Sequence, residues 1–252
     1  MNKTTIITLK EIELTDPIII EGLPGVGHVG KLVADHLIEE LNAEKIMEIY
    51  SPSFPPQVLV EKDSLVRLVR NEVYAYKSKN IDLLIIAGDH QSTTTEGHYE
   101  ICNIFLDMAE KYNVKRIYTL GGYGIGKLVE TETVLGAVNN TELIDEHASL
   151  GVEFKDGEPA GGIVGTSGLL LGLAEFKNID AICLMGLTSG YMVDPKSAQA
   201  VLRILCKALK LDVDMAALEE RAREIEKIVA KLQEMEQGVT PATSDDDLRY
   251  IG

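Results

Sequence analysis

Ile18-Ile19-Ile20-Glu21-Gly22-Leu23-Pro24-Gly25-Val26-Gly27-His28-Val29-Gly30-Lys31-Leu32 is the stretch whose reading decides the fold. Three consecutive isoleucines make a short apolar run of the kind a strand buried on both faces carries. The glycines and proline that follow punctuate a turn. From Val26 to Leu41 the apolar residues recur with helical spacing. Strand, glycine turn and helix form the unit from which α/β sheets are assembled.

The unit recurs along the chain. Lys45–Tyr50, Leu83–Ala87, Arg116–Leu120 and Ala181–Met185 are further runs rich in Ile, Val and Leu, and with Ile18–Ile20 they predict buried parallel strands. Val26–Leu41, Gly97–Tyr112, Thr166–Phe176 and Pro195–Leu209 predict the helices. Between the second and third strands, Gln57–Glu61 and Leu65–Arg70 alternate around Lys62-Asp63-Ser64, which predicts an antiparallel hairpin. Pro52, Pro55 and Pro56 mark a rigid loop into it. The expected fold class is therefore α/β, a three-layer mixed sheet with helices on both faces, plus a C-terminal helix.

Residues 1–212 read as the α/β domain. Residues 213–237 read as an amphipathic helix, because Met215, Leu218, Ala222, Ile225, Val229 and Leu232 repeat at alternating steps of three and four. Asp214 can cap its start and Gly238 can end it. Such a stripe suits packing on its own domain and suits pairing with another helix. Residues 238–252 read as a flexible acidic tail, with Asp245, Asp246 and Asp247 ahead of Leu248-Arg249-Tyr250-Ile251-Gly252. A polar tether with an apolar end fits a docking peptide, and equally a tail folded back on its own body.

Charge narrows the classes of partner. The 40 acidic residues outnumber the 24 basic ones, for a formal charge of −16. A surface of that sign repels phosphate backbones and anionic membranes, and no Trp is present to stack on bases. Neither nucleic acid nor membrane is expected as a partner. The most apolar later stretch, Ile163–Ala174, falls short of the roughly 18 residues that a span requires. Cys102, Cys183 and Cys206 lie far apart without a CxxC pair, which fits a reduced, cytoplasmic setting.

The chemistry-bearing motifs are incomplete. Gly25, Gly27 and Gly30 satisfy GxGxxG after a strand, with Glu48 near the place of a ribose-binding acid, but the hairpin interrupts the repeat that a dinucleotide fold needs. Gly25 to Lys31 and Gly121 to Lys127 each approach a P-loop, yet Leu32 and Leu128 stand where a hydroxyl must hold magnesium. Tight packing of strand, loop and helix explains these glycines as well as a ligand does. Asp89-His90-Gln91 and Glu96-Gly97-His98-Tyr99-Glu100 gather ligating groups in no zinc or iron pattern, and Thr94 and Thr95 suit a helix cap. Gly165-Thr166-Ser167-Gly168-Leu169 and Gly186-Leu187-Thr188-Ser189-Gly190 are not GxSxG and read as tight turns. No catalytic residue, metal or cofactor is assigned. What remains is a candidate ligand pocket formed by Gly25, Gly27, Gly30, Asp89, Gln91 and Gly122.

Four segments together resemble the proteasome assembly chaperone family, in particular its second subunit and archaeal relatives: Glu21–Leu32, Ala87–Gln91, Thr119–Tyr123 and Gly161–Leu170. The resemblance spans most of residues 15–210. It implies a fold similar to nucleoside phosphorylases, no known catalytic role, homo-oligomers, and proteasome α-subunits or related chaperones as partners. It also implies docking through a C-terminal motif of hydrophobic residue, Tyr and any final residue, which maps onto Leu248, Tyr250, Ile251 and Gly252. The register departs from the family's, since Tyr250 stands third from the last residue rather than second. The competing expectation is a small-molecule enzyme that binds a nucleoside or phosphate on the same scaffold.

Overall fold

The computed structural model describes residues 1–127, 129, 131–220, 222–224 and 227. Its centre is a nine-stranded sheet. In chain order the elements are β1 Thr5–Thr8, β2 Ile18–Glu21, α1 Val29–Glu40, β3 Glu44–Tyr50, β4 Val58–Val60, β5 Val66–Leu68, β6 Asn71–Lys77 and β7 Asp82–Gly88. They continue with α2 Thr95–Lys111, β8 Arg116–Gly124, β9 Val134–Val138, α3 Glu142–Ala148, β10 Val152–Glu153, α4 Thr166–Ala174, β11 Asp180–Thr188 and α5 Pro195–Leu209. The strand order is β1-β3-β6-β7-β2-β8-β11-β9-β10, and β4 and β5 form a separate two-stranded ribbon.

Strand alternation builds the three layers. In β7, Leu84 and Ile86 point into a core shared with Phe105 of α2 and Leu170 of α4. Leu83, Ile85 and Ala87 point the other way, onto Val33 and Leu37 of α1 and Val201 and Leu205 of α5. Successive side chains of a strand face opposite sides, so an unbroken apolar run is what a doubly covered strand requires. Local chemistry sets the helix starts. Thr94 accepts a hydrogen bond from the Gly97 N–H at 3.1 Å, and Asp194 accepts one from the Ser197 N–H at 2.9 Å with Pro195 in the first turn.

The expected mixed α/β sheet is present, with two corrections. Four of the five apolar runs pair in parallel, as β7-β2-β8-β11. The fifth, β3, instead pairs antiparallel on both sides, with β1 and β6. The reason is β6, a strand that the sequence reading did not foresee. It returns antiparallel between β3 and β7, with Asn71, Val73 and Ala75 buried, while charged and aromatic residues alternate with them and hide the run. The hairpin forms where expected, with Val58 opposite Leu68 and Val60 opposite Val66, but it stands apart from the main sheet.

Of the expected helix over 213–237, residues 216–220 are helical, and the Ala216 N–H donates to Asp214 at 2.9 Å. Leu218 is buried and Met215 packs beside it against the α1–α5 core, so this first part lies on its own domain. Most of the remainder of that stretch, and the whole of 238–252, lie outside the described residues.

Candidate functional site

In open α/β sheets, ligand crevices form beyond the carboxyl ends of the strands, where the chain order reverses. A cavity of about 300 Å³ occupies that place here. The loop after β2 contributes Leu23 and Gly25, the residues after β7 contribute Gln91, and the glycine-rich end of β8 forms the floor. Met185 of β11 and Ser167 of α4 close the far side.

Gln91 organises the mouth. Its amide donates to the Pro24 carbonyl at 2.8 Å and accepts from the Thr166 N–H at 2.8 Å. One side chain thus staples the β2–α1 loop to the start of α4. Behind Ser167 lies Glu21, fully buried, its carboxylate accepting from the Leu23 N–H at 3.0 Å and from the Ser167 hydroxyl at 2.8 Å. Burial disfavours the charged form and outweighs both hydrogen bonds, so the Glu21 carboxyl is pushed up to about 7. Cys183, at the cavity wall, has its thiol raised by burial to about 12 and is not a thiolate at neutral pH.

Three of the six expected pocket residues meet here: Gly25, Gln91 and Gly122. Gly27, Gly30 and Asp89 do not line the cavity. The glycines serve close packing. A Cβ on Gly30 would stand 2.2 Å from the Leu120 carbonyl oxygen, and one on Gly122 would stand 2.3 Å from that of Val26. Gly27 holds φ at +62°, a conformation glycine adopts without strain. Only through such bare contacts can α1 and its loop lie directly on β8. Gly121 differs, since a Cβ there would meet nothing within 4 Å.

Asp89 is committed elsewhere. Arg67 grips it with two guanidinium bonds at 2.5 and 2.8 Å, and the Arg70 N–H donates to it at 3.0 Å. Burial alone would raise its carboxyl; these donors hold it below the ordinary range instead. Glu48 belongs to a half-buried network with Lys45, Tyr50 and Arg70. His90 meets Gln57 at 3.0 Å. Among the described residues no three His, Cys, Asp or Glu side chains gather as metal ligands, and no helix is long and apolar enough to cross a membrane. The second P-loop-like stretch is mostly strand: Gly121, Gly122 and Gly124 pair with Met185, Gly186 and Thr188 of β11.

The sequence reading missed the Glu21–Ser167 pair. The available signal was an acid that closes a run of three isoleucines in a strand buried on both faces. The expected docking residues Leu248, Tyr250, Ile251 and Gly252 lie outside the described residues.

A doubly covered mixed sheet, with glycine-packed loops over a small stapled cavity, defines the class of scaffold. Comparison with known proteins makes it specific: residues 19–233 match the model of the PAC2 family, and the chain belongs to that family. An uncharacterized protein of Methanocaldococcus jannaschii, MJ1210, is 39% identical over 251 residues, covering 97% of this chain and 96% of the relative. The crystal structure of Pyrococcus furiosus PbaB, an archaeal proteasome activator, superimposes with a TM-score of 0.86 at 44% identity, covering 92% of this chain and 100% of PbaB. P. furiosus PbaA, an archaeal homolog of proteasome-assembly chaperone, gives 0.76 at 29% identity, covering 94% of each chain. The resemblance read from the four motifs therefore holds at the level of the family and the fold.

Proposed function

We propose that this chain is a non-catalytic, homo-oligomeric protein of the cytoplasm that binds proteasome α-subunits, partly through Leu248, Tyr250, Ile251 and Gly252. The observation that carries the reading is the 44% identity to a proteasome activator over nearly the whole of both chains. The internal commitments of Glu21, Asp89, His90 and Gln91 support it, since each is engaged within the fold. A peptide that follows an acidic, polar stretch and carries an aromatic anchor suits recognition in a pocket between subunits.

The test is co-purification with proteasome α-subunits, comparing the full chain with one lacking residues 248–252. The full chain retains the α-subunits, and the shortened chain loses them at an unchanged melting temperature. Failure of the full chain to retain them would sink the reading, whereas retention by the shortened chain would remove the tail from it.

One observation favours a second reading, a nucleoside- or phosphate-binding protein: the cavity lies at the ligand position of α/β sheets. A thermal-shift screen with nucleosides and inorganic phosphate tests it, with Gly121→Leu as the blocked control. No stabilisation of the unaltered chain at millimolar ligand would end this alternative.

A further inference from the structure

The β4–β5 ribbon has one face on the body and one in solvent. Leu59 packs inward against the main core and Arg67 reaches in to Asp89. The outward face consists of Val58, Val60, Val66 and Leu68, all exposed, with Leu65 beside the tip at 67% exposure. No charged side chain interrupts that face, in a chain where charged residues make up 25% of the total. Its bare apolar surface is on the order of several hundred Å², the extent at which a patch marks an interaction site. A two-stranded ribbon is marginal without a covered apolar face.

A groove of about 620 Å³ opens at the base of the same ribbon. Tyr50, Phe54, Pro55, Pro56, Val58 and Leu68 line it, so groove and outward face are one continuous surface. The Leu65 knob and this groove sit at opposite ends of the ribbon, roughly 10 Å apart at the usual rise of a strand. An apolar projection at one end of the ribbon and an apolar groove at the other are the two features that a two-fold rotation would bring face to face.

The geometry points to a second copy of this chain as the occupant: two ribbons meet face to face and antiparallel, each Leu65 seated in the other's base groove. The composition fits that occupant better than a foreign partner. The outward face of the ribbon is aliphatic and free of charge, as the apolar centres of homodimer interfaces are. The face itself carries no charge, and the charged residues nearest to it are Glu61, Lys62 and Asp63 at the ribbon tip, where a base stands between the two acids. The inference rests on the homo-oligomer part of the proposed function and not on the proteasome.

Sedimentation of the full chain, with no proteasome present, separates the two. The unaltered chain runs as a multiple of its own mass. Val60→Glu combined with Val66→Glu lowers that mass at least twofold, while far-UV circular dichroism and melting temperature stay within those of a folded protein, because both side chains point into solvent. A second measurement uses Leu65→Cys and Gln57→Cys as separate proteins. Their oxidised mixture gives a covalent dimer in several-fold excess over either protein alone; Cys102, Cys183 and Cys206 are buried and do not compete. A monomeric unaltered chain, an unchanged mass in the double variant, or a mixture that links no better than its components would each overturn the inference.

Discussion

Glu21 is the residue whose surroundings have the largest consequence. An ordinary carboxyl titrates near 4.5, and this one is pushed up to about 7 in the fold. Between those values the folded chain holds a proton that the unfolded chain has released, so stability falls as pH rises through the window and levels off above it. The loss is on the order of 3 kcal/mol between pH 4.5 and 8. Glu21→Gln removes it. The Gln oxygen can still accept from the Leu23 N–H, its amide can donate to Ser167, and the Ser167 hydroxyl can turn to the Leu120 carbonyl, 3.4 Å away. Urea unfolding at pH 5 and pH 8 checks this: the variant and the parent converge at pH 5, and the variant is the more stable at pH 8. An equal pH slope in both would refute the assignment. This pair was hard to read from the chain, because 146 positions separate Glu21 from Ser167 and only the sheet order brings them together.

At the scale of elements, the glycines divide into those that let elements touch and one that leaves a space. Gly30→Ala sets a methyl group against the backbone of β8, where neither neighbour can rotate away. The gain in helix propensity, about 1 kcal/mol, is overtaken, and the variant loses about 2 kcal/mol in urea unfolding. Gly121→Ala faces open cavity and leaves stability unchanged within about 0.5 kcal/mol. Equal effects at the two sites would contradict the packing account. Elements whose apolar residues run unbroken, such as β7 and β11, were legible in the sequence because burial on both faces leaves no other pattern. The hairpin was legible through its alternation. β6 was not, since Glu72, Tyr74 and Tyr76 keep one side half-exposed, and β1 was not, since all four of its residues are exposed at the sheet's edge. Gly25, Gln91 and Gly122 do meet, because they stand at the carboxyl ends of three neighbouring strands, β2, β7 and β8. The pocket reading placed Gly27, Gly30 and Asp89 there only because motif spacing cannot show which way a loop residue faces.

For the whole molecule, acidity and architecture act on different things. The charge of −16 keeps copies apart in solution unless an apolar surface draws them together, so the size of any assembly held by that surface grows with added salt up to its limit. Light scattering across a salt series reads this directly; dissociation on adding salt would show that ion pairs hold the copies instead. The Arg67–Asp89 grip then acquires a mechanical meaning. It ties the ribbon to the strand end that leads, two residues later, into Gln91, and Gln91 holds both the Pro24 loop and the start of α4. The ribbon and the rim of the cavity are therefore anchored through three consecutive residues, 89 to 91, and no flexible segment lies between the two anchorages.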